Sequence, residues 1–123
     1  MKISSYQDLE VWKRSMDLAE KIYFLTKSFP TEELYGMTTQ IRRAASSIPA
    51  NIAEGWGRQG NKEFQQFLRI AQGSLRELET HLILSNRINL CSDIAIAEPL
   101  EQINILSKQL RALINSLKRT GNQ

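Results

Sequence analysis

Lys62, Arg69 and Arg76 stand at intervals of seven residues. Seven residues are close to two turns of an α-helix, so on one helix these cations form a row. Arg87 extends the same face about three turns further on. Arg58 precedes the row, and Arg42 and Arg43 lie earlier in the chain. Cations in a row are suited to one kind of chemistry: they neutralise phosphates along a nucleic-acid backbone and release its counterions. Contacts of that kind hold a polyanion in place without reading its sequence. The competing account is an ordinary solvated face, with Arg76 paired to Glu79 three residues on.

Other reactive residue types are sparse. His81 is the only histidine. Glu77 and Glu79 are near it in sequence, but no Glu-x-x-His or His-Glu-x-x-His spacing exists, so no metal site is expected. Cys91 is the only cysteine. It can form no internal disulfide, which fits a reducing cytoplasm, and no adjacent base would activate it. Phosphate loop, paired-cysteine motif and nucleophile elbow are all missing. The expectation is therefore a protein that is not an enzyme and needs no cofactor; a site assembled between subunits stays open. Trp56, in Gly-Trp-Gly, suits either stacking on a base or covering the end of a core. Glu54 closes the preceding stretch and suits backbone amides or an arginine.

The bulk properties narrow the class. The 123 residues suit one domain spanning 1–123, with one modest core. The formal charge is +3, compatible with nucleic acid but short of the concentrated basicity of strong binders. Hydrophobic residues make up 41% and charged residues 24%, as in soluble globular proteins. No apolar run is long enough to span a bilayer, and Met1 to Trp12 lacks the apolar core of a signal peptide. No membrane partner is expected.

The elements that must carry these residues read as helices, because strand alternation is nearly absent. Four are expected, over about residues 6–28, 36–54, 62–88 and 93–118. Phe29-Pro30 stops the first. Thr31 is a candidate cap for a short turn, Asn61 for the third helix, and Ser92 or Asp93 for the fourth. The second helix carries Pro49 in its interior, where the missing amide frees the Ala45 carbonyl. Ser46 or Ser47 are candidates to satisfy the freed groups. Gly55, Gly57 and Gly60 are expected to end this helix. Pro99 marks a kink or a restart of the fourth helix.

The helices differ in how many faces they must bury. The fourth has one apolar stripe: Ile96, Leu100, Ile103, Leu106, Leu110, Leu113 and Leu117. The first has two, roughly opposed at 100° per residue. One runs through Leu9, Trp12, Met16, Ala19 and Tyr23; the other through Val11, Leu18, Ile22, Leu25 and Phe29. The third helix has a main stripe from Phe64 to Leu82 and a second through Ile70, Gly73, Leu84 and Ile88, interrupted by Glu77. The second helix carries Ile41, Ala44, Ile48 and Ile52, with Ala45, Ser46, Ser47, Ala50 and Ala53 around them. A four-helix bundle hides one stripe per helix. The surplus apolar surface points to self-association. The expected interface is the second seams: Val11, Leu18, Ile22, Leu25, Ile70, Gly73, Glu77 and Leu84. A loop or chain terminus lying over one seam is the alternative.

The stretch Ile41 to Arg58, IRRAASSIPANIAEGWGR, resembles the signature of the bacterial four-helix-bundle proteins encoded by intervening sequences in 23S rRNA genes. Tyr6 to Trp12 resembles that family's opening, and Phe64 to Asn86 its third helix. The resemblance runs from about Tyr6 to Lys118. It implies an all-α, antiparallel up-and-down four-helix bundle that closes into a homo-oligomer, a pentamer in known members. A relative, the accessory protein of diversity-generating retroelements, binds nucleic acid and a reverse transcriptase; for most members no function is established. Residues and resemblance together lead to a non-enzymatic scaffold that binds RNA or DNA through phosphates held by Arg42, Arg43, Arg58, Lys62, Arg69 and Arg76. The alternative is a scaffold that recruits a protein partner, with nucleic acid irrelevant.

Overall fold

The computed structural model describes residues 2–121. Its main elements are α1 (Glu10–Thr26), α2 (Thr39–Gly57), α3 (Asn61–Arg87) and α4 (Asp93–Gly121). No strand occurs among the described residues. α2 packs against α1 and α3, and α4 against α3 and α1, so the four close around a shared core. Asn61, at the start of α3, lies beside Gly121 at the end of α4. Midway, the Arg76 guanidinium donates to the Ser107 hydroxyl. Lys21 of α1 pairs with Glu98 of α4.

The core is where helical periodicity places it. Leu18 and Ile22, Ile41, Ile48 and Ile52, Leu68, Leu75, Leu78 and Leu82, and Ile103, Leu106 and Leu110 are all fully buried. Burying a side chain of this size stabilises by about 1.5–3 kcal/mol relative to exposing it, so these residues dominate cohesion.

The helix ends depart from the expected limits for local reasons. Tyr6–Asp8 form a separate 3-10 turn instead of the first turn of α1. Ser5 Oγ accepts from the Gln7 amide at 3.1 Å, while the Asp8 carboxylate accepts from the Ser4 and Ser5 amides at 3.0 and 3.1 Å. This reciprocal capping closes the turn, and Leu9 is extended, so α1 begins only at Glu10. Upstream of α2, Leu34–Thr38 form a wide π turn with non-helical backbone at Gly36. That break delays α2 to Thr39.

α2 runs through Gly55 and Gly57, and the residue that turns left-handed is Gln59, with φ 62°. Gly55 serves packing rather than termination. A Cβ there would sit 2.6 Å from Phe67 Cβ, so only glycine lets α2 and α3 come this close. Gly60, and not Asn61, caps α3. Pro30, and not Thr31, precedes the short turn after α1. Ser92 does cap α4, its Oγ accepting from the Ala95 amide at 3.1 Å.

Both interior prolines are buried within continuous helices. Pro99 is therefore no restart: α4 begins at Asp93 and continues past it. Around Pro49, the Ser46 and Ser47 hydroxyls donate to the Arg43 and Ala44 carbonyls, leaving that of Ala45 aside.

Candidate nucleic-acid interface

α3 presents Lys62, Arg69 and Arg76 on one exposed face, as their spacing predicts. Over this stretch the row runs about 20 Å along the helix. Arg76 is tied down at both ends of its fork. One nitrogen pairs with Glu79 at 2.6 Å and the other donates to Ser107 across on α4. Arg69 reaches Gln65 Oε1 at 3.4 Å, and neither Arg69 nor Lys62 has an ion pair among the described residues.

α4 adds a second lane of cations. Lys108 and Arg111 share with Arg76 and Gly73 a groove of about 510 Å³ between α3 and α4. Gln72, Asn104 and Ser107 supply the remaining polar lining. Lys118 stands seven residues beyond Arg111 and so continues the same face of α4, toward the end that lies beside Asn61. Glu79 is the one acid paired to this strip among the described residues. Reading helices singly misses Lys108 and Arg111. Their spacing with Lys118 was the available signal, but only packing sets that lane beside the row on α3.

The other expected contacts lie elsewhere, and two of them, Arg42 and Arg58, are occupied. Arg42 fastens α2 to the end of α1: its Nε donates to Thr26 Oγ1 at 2.8 Å, its Nη2 to the Tyr23 carbonyl at 3.4 Å, and its guanidinium lies 4.8 Å from the Tyr23 ring centre. A cation at a helix C-terminus also meets the negative end of the dipole. Arg58 pairs with Glu54 at 3.1 Å, approaches Glu63 at 4.0 Å and covers the Phe67 ring. Arg43 is exposed on α2 and does not line the α3–α4 groove. Geometry therefore keeps Lys62, Arg69 and Arg76 together and separates Arg42, Arg43 and Arg58 from them. Trp56 is half-buried, edge-on to Phe64 at 6.0 Å, as the cover of a core end.

The structure reverses the two seams of α1. Val11, Leu18 and Ile22 point into the protomer's own core, with Leu25 half-buried against it, so they are unavailable to another chain. The seam left outside is the other one. Trp12, Met16, Ala19 and Tyr23 line an apolar groove of about 520 Å³ between α1 and α2. Its far wall is Ser46, Pro49, Ala50 and Ala53, the small residues of the signature stretch. Periodicity identified both seams correctly but carries no information on which faces inward.

On α3, the outer seam is uncovered as expected: Ile70, Gly73, Glu77 and Leu84 are all exposed. Glu77 is not the buried acid that would need an arginine; its Oε2 lies 3.5 Å from His81 Nε2 on the same helix. Burial raises the Cys91 thiol above its ordinary pKa, which disfavours the nucleophilic thiolate. Among the described residues, no three His, Cys, Asp or Glu side chains gather as a metal set, and no helix is long and apolar enough to cross a membrane.

Comparison with known proteins agrees with this architecture. A family model described as 23S rRNA-intervening sequence protein matches residues 7–112. Among solved structures, the chain is similar to a crystal structure of a protein of unknown function from the S23 ribosomal protein family of Bacteroides thetaiotaomicron. The two are 26% identical and superpose with a TM-score of 0.76, over 85% of this chain and 97% of the other. No curated protein matches.

Proposed function

The chain belongs to the 23S rRNA-intervening sequence protein family, and from that premise we propose a non-enzymatic, homo-oligomeric scaffold that binds RNA or DNA through backbone phosphates. The observation that carries this reading is the two-lane strip of cations on α3 and α4, with Glu79 its one paired acid among the described residues. The helix pairings fit an antiparallel, up-and-down bundle. The uncovered α1–α2 groove supports closure with sister copies, and the family resemblance makes a pentamer the expected number. Repetition around a ring would turn a weak phosphate site into an avid one. A cytoplasmic setting suits the lone thiol.

An affinity series in salt tests the phosphate mechanism. Binding of a mixed-sequence oligonucleotide should weaken steeply as salt rises, with little dependence on sequence. Absence of binding at low salt, or affinity indifferent to salt, sinks it. The second reading is a protein-recruiting scaffold. It draws on the same apolar groove and on exposed Ile70, Leu84 and Ile88. Pull-down from a nuclease-treated lysate separates the two, since a protein partner that survives nuclease favours this second reading.

A further inference from the structure

We infer that the groove at the middle of the strip is a discrete seat for one phosphodiester group, built by Arg76, Lys108 and Arg111 around the space left by the missing side chain of Gly73. The inference rests on the nucleic-acid reading and sharpens it from a diffuse basic face to a located site.

Four observations converge here. Arg76, Lys108 and Arg111 come from two helices yet line one depression of about 510 Å³. Arg76 is pre-positioned, because its fork is held between Glu79 and Ser107 and so loses less freedom when an anion arrives. Asn104 and Gln72 add neutral polar groups to the lining, suited to phosphate oxygens that the cations leave unpaired.

Gly73 is the fourth. It lies in the middle of α3, where glycine weakens a helix and alanine would strengthen it. No close packing demands it: a Cβ built there meets nothing within 4 Å. Gly55 differs sharply, since its Cβ would collide with Phe67. A glycine that costs helix stability and relieves no crowding within the protomer is accounted for if the groove floor must stay open to a ligand.

The seat therefore makes a prediction that a purely structural role does not. Gly73→Ala should raise the thermal midpoint, as should Gly73→Leu, while Gly73→Leu fills the groove and weakens oligonucleotide binding by tenfold or more. Lys108→Ala with Arg111→Ala should lower the slope of log affinity against log salt by about two. Lys13→Ala, on α1 outside the groove, should leave binding unchanged. The probe is a short single-stranded DNA of mixed sequence, with inorganic phosphate at millimolar concentration as competitor. Competition by millimolar phosphate supports a located seat. If wild type binds but both groove variants bind equally well, the seat is wrong and the broader phosphate reading survives. If wild type does not bind at low salt, both fall. If Gly73→Leu unfolds the chain, the salt slope of the Lys108, Arg111 pair decides alone.

Discussion

Asp8 shows how much a single side chain can organise. Hydrogen bonds from the Ser4 amide and hydroxyl, and from the Ser5 amide, hold its carboxyl below the ordinary value of 3.8. The folded pKa is depressed, so the stability it contributes is complete above the unfolded value and is lost as pH falls through the folded one. The N-terminal turn should loosen first in acid. Thermal unfolding of wild type and Asp8→Asn, compared from neutral pH down to about pH 2, should differ at neutral pH and converge in acid. Parallel curves would show that the carboxylate adds nothing. The same scale separates the six expected cations. Arg42 is held at Thr26 and the Tyr23 carbonyl and Arg58 at Glu54, away from the α3–α4 groove that Arg76 lines while paired with Glu79. Their residue type alone could not reveal that.

At the scale of elements, the decisive contact is α2 against α3. Gly55 lets the helices approach until Phe64 and Phe67 occupy the space its side chain would take. Gly55→Ala should therefore destabilise by about 1–3 kcal/mol, despite alanine's better helix propensity, because the neighbour is Phe67 Cβ, close to rigid backbone. Chemical denaturation measures this; a neutral or stabilising result would mean the helices can separate at little cost. Gly73→Ala is expected to go the opposite way. The pair tests whether two glycines of one chain serve opposite ends, one admitting a helix and one admitting a ligand. The start of α4 was legible from its Ser92 cap, whereas the Thr31 and Asn61 caps and the glycine stop of α2 did not hold. The 3-10 turn at Tyr6–Asp8, closed by the Ser5 and Asp8 side chains, and the π turn before α2, broken at Gly36, were not part of the helical pattern.

At the scale of the molecule, the α1–α2 groove is the surface that a solitary protomer leaves bare. Met16 and Ala50 face each other across it and are exposed. Met16→Glu with Ala50→Glu should reduce the molar mass seen by light scattering while leaving helix content intact. It should also weaken nucleic-acid affinity, although the α3–α4 strip is untouched, because avidity needs several copies. An unchanged mass would remove the groove from the interface. Ile22→Ala is the contrasting variant. It empties part of the protomer's own core and should cost about 2–5 kcal/mol without altering subunit number.

Apolar and charged periodicity, read along the chain, determined four helices, the apolar stripes they carry, the presence of two seams on α1 and of a basic row on α3. Those follow from 3.6 residues per turn, a property of each helix by itself. Tertiary structure alone decided which α1 seam went inside, that Gly55 admits α3, that Arg42 ties α1 to α2, and that Lys108 and Arg111 join the row across a groove. Rotation of a helix about its axis and the identity of its neighbour are fixed by packing many side chains at once, and spacing within one helix holds no record of the residues it will meet.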